Sequence, residues 1–404
     1  MDFPSSSTIA RNSNTTFNLV SDSPTHTKAG SNAGLCAFLS RCACPASEYL
    51  DSMNATMKAL CKTAPQSGFT LCDVPVPSIG PTDVLIHVEK AGVCGTDAHI
   101  YSWDTWAQHR VKPPLVIGHE FMGTVAAIGS AVRAVQLGQR VSAEGHIADL
   151  TCALCRTGDA HICERVKIIG VDRDGAFAEY IAMPEYNVWP LDDAIPDEFA
   201  AIFDPLGNAV HTVMAAGVST RSVAITGVGS IGLMAIPVAR AAGAASVFAI
   251  DVNPAKLELA TRLGADATFM ATDPNLVDEI LRRTNGDGVD VLLEMSGSGA
   301  AIDAGLQMVR NGGRAALLGI PSDDVKLNLA ERIIFKGLTV LGINGRRMFE
   351  TWYQTQALVK SGRVDLRPII SHVLPFRDFD RAFALIKSGE AVKIVLDIKG
   401  DIAP

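Results

Sequence analysis

Gly227-Val228-Gly229-Ser230-Ile231-Gly232 has the form G-x-G-x-x-G. The apolar run Ser222 to Thr226 before it reads as a buried strand, and Ile231 to Ala242 after it reads as a helix. Strand, glycine turn and helix in that order form a phosphate cradle. Gly227 permits the tight turn, and Gly229 lets the backbone approach a pyrophosphate. Gly232 allows the helix to pack closely on the strand, and the helix N-terminus offers free N–H groups and the positive end of its dipole. Asp251 closes the next strand, 19 residues beyond Gly232, where an acid can hold the adenosine ribose hydroxyls. Its charge would repel a 2′-phosphate, and no arginine follows within five residues, which favours NAD over NADP. The one nearby cation, Lys256, is within reach of the ribose.

Outward from this turn, strands alternate with helices. Ser246 to Ile250, Pro254 to Leu263, Val289 to Leu293 and Arg314 to Leu318 continue the pattern, as a parallel doubly wound sheet requires. Before about Phe203 the pattern is instead short strands and turns, such as Val84 to Val88 and Gly123 to Gly129, giving a β-rich, barrel-like region. Beyond Arg346 an amphipathic helix is expected over Phe349 to Ser361. Strands at Ile369 to Val373 and Val392 to Ile398 then return to the first region.

The chain has 404 residues, 35 Lys and Arg against 43 Asp and Glu, and a net charge of −8, so nothing favours nucleic acid or an anionic membrane as partner. The longest apolar run, Leu233 to Ala245, is interrupted by Pro237, Arg240 and Gly243 and is too short to span a bilayer. Ser, Thr and Asn supply 21 of the first 56 residues, which show no strand or helix period. That segment is expected to be a disordered extension rather than a targeting peptide, with the folded protein starting at Met57.

Four of the nine cysteines stand beside other ligand-type residues. Asp149-x-x-Cys152-x-x-Cys155-x₇-Cys163 has the tight spacing of a structural zinc lobe, with a carboxylate as first ligand. Three ordinary reduced thiols, or a lobe that has lost its metal, would give the same spacing. A second set is dispersed: Cys94, His119, Glu120 and Asp204. One thiolate, one imidazole and carboxylates can hold a catalytic zinc with an open position. Taken singly, each also reads as a buried thiol, a core histidine, a surface acid or a helix cap.

Cys94-Gly95-Thr96-Asp97-Ala98-His99, Gly118-His119-Glu120, the cysteine lobe and the Gly227 turn occur in the order found in the medium-chain zinc alcohol dehydrogenase superfamily, which the chain resembles from Met57 to Ile398. Other stretches resemble its threonine-oxidising branch. These are Ile100 to Asp104, Glu144-Gly145-His146, Ala201 to Thr212, Leu293 to Gly297 and Met348 to Tyr353. The resemblance implies an α/β fold, with a GroES-like catalytic domain over 57–203 and 347–404 and a Rossmann cofactor domain over 204–346. It implies that Cys94, His119 and Glu120 hold the catalytic zinc and that Thr96 and His99 relay the proton. Asp204 would serve as a ligand or as a carboxylate behind the ligands. Cofactor contacts are implied at Ile231, Asp251, Leu318-Gly319-Ile320 and Ile343-Asn344. The implied reaction is zinc-dependent oxidation of the 3-hydroxyl of L-threonine by NAD, in a cytoplasmic homo-tetramer with two zinc ions per chain. A polyol or 2,3-diol dehydrogenase, and a metal-free cofactor-binding module, are the competing readings. Three positions depart from the pattern: Asp149 for a cysteine, Lys256 for an arginine and Asn344 for an aromatic residue.

Overall fold

The computed structural model describes residues 56–402, so the expectation of a disordered 1–56 extension lies almost wholly outside the described residues. Two large sheets carry the molecule. The first has seven strands, in the order Val188–Pro190, Arg140–Ala143, Glu120–Ile128, Asp83–Val93, Lys393–Asp397 and Ile370–Pro375, with Tyr180–Pro184 also paired to Asp83–Val93. It is antiparallel apart from the parallel pairing of Ile370–Pro375 with Lys393–Asp397. The last strands of the chain therefore complete a sheet begun near its start.

The second sheet is six-stranded and wholly parallel, in the order Ala267–Met270, Ser246–Asp251, Ser222–Thr226, Val289–Glu294, Val309–Leu317 and Thr339–Gly342. Its central strands, Ser246–Asp251, Ser222–Thr226 and Val289–Glu294, are buried almost throughout, as the middle of a parallel sheet requires, whereas the edge strand Thr339–Gly342 is mostly exposed. Strand order reverses between Ser222–Thr226 and Val289–Glu294, so the Gly227 turn lies at the switch point where such sheets bind ligands. Gly227 has φ +83°, and a Cβ there would meet Ser296 at 2.6 Å, so only glycine fits.

Differences from the sequence expectation are local. Asp83–Val93 is longer than the expected Val84 to Val88, because Ala91-Gly92-Val93 continues the pairing with Glu120 and Ile394. A strand is also expected from sequence over Leu137 to Val141, but Leu137 to Gln139 is turn and the strand is Arg140–Ala143. The strands Ala267–Met270 and Thr339–Gly342 and the helices Leu276–Arg283 and Gly299–Met308 were not anticipated. The helix Phe203–Ala216 was not anticipated either. It is buried along most of its length and belongs to the same apolar core as the parallel sheet and Trp352.

Candidate active site and zinc lobe

Cys94 terminates the strand Asp83–Val93 and caps the helix Gly95–Ser102. Its backbone N–H donates to Asp97 Oδ2 at 2.9 Å, which closes a capping box and fixes where the thiol emerges. His119 and Glu120 come from the start of the neighbouring strand Glu120–Ile128, whose register sets Glu120 opposite Gly92. One donor atom from each of Cys94, His119 and Glu120 lies within 4.8 Å of the others. A Cβ at Gly92 would fall 2.3 Å from Glu120 Oε2, so the carboxylate occupies space that only glycine leaves.

The surroundings of this cluster are charged and buried. Asp97 is fully buried, with Oδ1 3.6 Å from His119 Nδ1, placed to orient the imidazole from behind. Lys393, 2 % exposed, donates to Glu120 Oε1 at 2.7 Å and to the Val93 carbonyl at 2.8 Å. Burial works against the ammonium, but Glu120 outweighs it and holds the Lys393 pKa above its ordinary value. Asp97 Oδ1 and His119 Nδ1 have no hydrogen-bond partner. A thiol, an imidazole and a carboxylate that converge in a buried place fit a metal centre better than a packed core.

Asp204 is outside that donor group. It lies in the first turn of Phe203–Ala216, where the helix dipole favours an anion, and forms an ion pair with Arg346, Oδ1 to Nη1 at 2.7 Å. Arg346 also forks onto Glu144, with Nε to Oε2 at 2.9 Å and Nη2 to Oε1 at 2.5 Å. Glu144 further accepts from Trp352 Nε1 at 2.8 Å and from the His146 backbone at 2.9 Å. Burial alone would raise the Glu144 pKa, but the Arg346 guanidinium overrides it and holds the carboxyl at about 2. His146 moves the other way: its burial, with Arg346 nearby, lowers its pKa and keeps the ring neutral. Gly345, φ +58°, follows Asn344 and approaches His146 so closely that a Cβ would fall 2.6 Å from the ring. The segment leaving the parallel sheet is thereby locked against the catalytic cluster.

Thr96 and His99 sit one turn apart on Gly95–Ser102. Thr96 Oγ1 is 3.8 Å from Cys94 Sγ, and His99 is exposed, with Nδ1 2.5 Å from Asp104 Oδ2. In the cofactor region, Asp251 Oδ2 accepts from Val228 N–H at 2.8 Å and Oδ1 from Asn253 N–H at 2.9 Å. The acid therefore ties down the glycine turn itself. Gly229 and Ile231 flank the helix start, with Gly229 as N-cap. Gly232 packs so tightly that a Cβ would meet the Gly227 carbonyl at 2.1 Å. Leu318 and Gly319 N–H donate to the Glu294 carbonyl at 2.9 and 3.1 Å, and Ile343 N–H to Leu317 at 2.9 Å. Ile320, Lys256 and Asn344 lie at the rim, Ile320 being strongly exposed.

In the lobe, Asp149, Cys152, Cys155 and Cys163 converge within 4.8 Å. Sulfur separations are 3.4 Å from Cys152 to Cys155 and 3.8 Å from Cys152 to Cys163. Asp149 Oδ1 is 3.5 Å from Cys155 Sγ and 3.4 Å from Cys163 Sγ. Bonds of about 2.3 Å to sulfur and 2.1 Å to oxygen put tetrahedral neighbours about 3.8 Å (S to S) and 3.6 Å (S to O) apart. The four side chains fit one zinc ion.

Four residues in these arrangements had no role assigned from sequence: Asp97, Glu144, Arg346 and Lys393. Asp97 and Glu144 lie inside stretches that were singled out, and Lys393 is a lone cation in an apolar strand. Arg346 carried no local signal.

Comparison with known proteins gives the family. Residues 80–193 match the alcohol dehydrogenase GroES-like domain family, and residues 230–361 match the zinc-binding dehydrogenase family. An L-threonine 3-dehydrogenase of Symbiobacterium thermophilum is 50 % identical over 345 residues, covering 85 % of this chain and 98 % of that protein. That of Bacillus subtilis is 45 % identical over 340 residues, covering 84 % and 98 %. Among solved structures, a Sinorhizobium meliloti protein of the zinc-binding dehydrogenase type, with NADP bound, superposes with a TM-score of 0.79 at 29 % identity, covering 85 % of this chain and all of that one. The chain belongs to the L-threonine 3-dehydrogenase family of zinc-binding, nicotinamide-dependent alcohol dehydrogenases.

Proposed function

We propose that this protein oxidises the 3-hydroxyl of L-threonine, with NAD taking the hydride, to give 2-amino-3-oxobutyrate. The observation that carries the reading is the convergence of Cys94, His119 and Glu120 at the end of the sheet, beside the segment that leaves the nucleotide-binding fold. A zinc ion held by these three residues supplies Lewis acidity that makes a hydroxyl easier to deprotonate. Thr96, two residues beyond the ligand Cys94 with Oγ1 3.8 Å from its sulfur, accepts the proton inside the site. His99, exposed and held by Asp104, passes it to solvent. NAD held at the Gly227 turn would supply the acceptor for the C3 hydride, so that one NAD would be reduced and one proton released per threonine. Neutral His146 lines the side of the cluster without adding a second charge. Asp204, clamped by Arg346, acts behind the ligands.

NAD rather than NADP is favoured by Asp251, whose carboxylate is fixed at the strand end by two backbone N–H groups. Contacts to the dinucleotide are assigned to Gly227, Gly229, Ile231, Gly232, Asp251, Lys256, Leu318, Gly319, Ile320, Ile343 and Asn344. A second zinc is assigned to the Asp149 lobe, on its edge lengths. Residues 57–203 with 347–404 are read as the catalytic domain and 204–346 as the cofactor domain. Four zinc-binding thiols, Cys94 and the three of the lobe, call for a reducing compartment, which supports the cytoplasm. The strand Thr339–Gly342 ends its sheet, with Ile334, Phe335 and Val340 exposed close by in sequence, which supports assembly with further copies toward a tetramer.

The test is a set of parallel assays with threonine, sorbitol and 2,3-butanediol, each with NAD and NADP and with and without a chelator. Threonine with NAD is expected to be fastest and chelator-sensitive. Threonine as the poorest substrate would overturn the proposal.

A further inference from the structure

The two oxygens of Asp149 are treated differently. Oδ1 accepts from the Thr151 and Cys152 backbone N–H groups at 2.9 and 3.1 Å and faces the Cys155 and Cys163 sulfurs. Oδ2 is turned away. It accepts from Arg165 Nε at 2.5 Å and from Thr151 Oγ1 at 3.1 Å, and it forms an ion pair with Arg165 Nη2, which donates to Thr151 Oγ1 at 3.3 Å. Arg165 is itself tethered to the lobe, since its backbone N–H donates to Cys163 Sγ at 3.4 Å. Leu150, at φ +59°, turns the chain between Asp149 and the first cysteine.

We infer that Arg165 is a positioning residue that sets the residence time of the lobe's zinc, by holding Asp149 as a one-oxygen ligand. This rests on the zinc reading of the lobe given above. A dication bound by three thiolates and a carboxylate carries a charge of about −2, which a neighbouring guanidinium partly offsets. The oxygen arm is the weakest of the four, since thiolate is the softer and better match for zinc. A free carboxylate rotates between nearly equivalent orientations about its last torsion, and each rotation opens the site. The Thr151 and Cys152 N–H groups hold Oδ1, and Arg165 completes the hold from the other side, where Nε and Nη2 converge on Oδ2 in a planar arrangement that a lysine cannot reproduce. Its side chain is 59 % exposed, so as an ordinary surface ion pair it would contribute almost nothing. An effect on metal release is therefore distinguishable from an effect on folding.

The full-length, zinc-loaded protein is mixed with a chromogenic chelator, and zinc release is followed alongside threonine oxidation. Zinc released without loss of activity belongs to the lobe. In Arg165→Gln that phase is expected to be about tenfold faster with initial activity unchanged, the scale on which groups behind metal ligands act. Arg165→Lys should fall between. Asp149→Cys should release more slowly than the wild type and lose all sensitivity to Arg165→Gln. An unchanged rate in Arg165→Gln, with two zinc ions per wild-type chain, overturns the role of Arg165 alone. Equal acceleration in the Asp149→Cys background also overturns it, because the arginine would then support the lobe without acting through the carboxylate. A single zinc ion per wild-type chain removes the lobe reading and the inference together.

Discussion

Glu144→Gln isolates the charge of a fully buried carboxylate with little change of shape. Glu144 has no exposed surface and receives two bonds from Arg346, one from Trp352 and one from the His146 backbone. Burial opposes its ionisation, yet Arg346 brings its pKa from 4.5 to about 2. At 1.36 kcal/mol per pH unit, the folded environment favours the charged form by about 3 kcal/mol. Removing one partner of a buried ion pair costs about 3–5 kcal/mol by the general rule, so the two routes agree. A glutamine amide would also turn an N–H toward the guanidinium, donor against donor. The thermal midpoint of the zinc-loaded protein is expected to fall by about 6–10 °C, at about 2 °C per kcal/mol for a chain of this size. The pH dependence has a definite sign. The folded carboxyl titrates below its ordinary value, so its contribution is complete above about pH 5 and is lost as the pH falls toward 2. The difference between wild type and variant should close over that interval. Arg346→Gln combined with Glu144→Gln should cost less than the sum of the two, because the partners are removed together. A midpoint drop under 2 °C at pH 7, or a difference that stays constant down to pH 3, would refute the reasoning.

Asp97→Asn should weaken zinc binding at the Cys94 cluster by about tenfold while the fold persists, because it removes the charge 3.6 Å behind His119; chelator competition measures this. Gly92→Ala drives a methyl group into Glu120 Oε2 at 2.3 Å and Ile202 Cγ2 at 2.9 Å. Threonine oxidation should fall by more than about tenfold, with a loss of about 1–3 kcal/mol in denaturant unfolding. Asp251→Ser should narrow the ratio of kcat/KM for NAD over NADP by about tenfold or more, and an unchanged ratio would remove Asp251 from cofactor selection. His99→Ala should lower kcat by about 10–100-fold with little change in KM, and added imidazole buffer should restore part of the loss.

The reading from sequence was strongest where chemistry is local. The Gly227 turn, the acid 19 residues beyond it and the lobe Asp149 to Cys163 each place their groups within a few bonds or one supersecondary unit, so spacing constrains geometry. The Cys94, His119 and Glu120 set became legible only through its resemblance to a family, since 25 residues separate Cys94 from His119 and no local rule brings them together. The pairing of Asp83–Val93 with Glu120–Ile128 does so, and Gly92 leaves the room.

Sequence by itself determined the four central strands of the parallel sheet, the cofactor turn and the identity of the ligand types, because these follow from periodicity and short-range stereochemistry. Only the tertiary structure decided that Arg346 reaches across 202 positions to Glu144 and that Lys393 reaches across 273 to Glu120. A buried charge needs an opposite charge in space, and nothing in the spacing of residues along the chain records which one it finds.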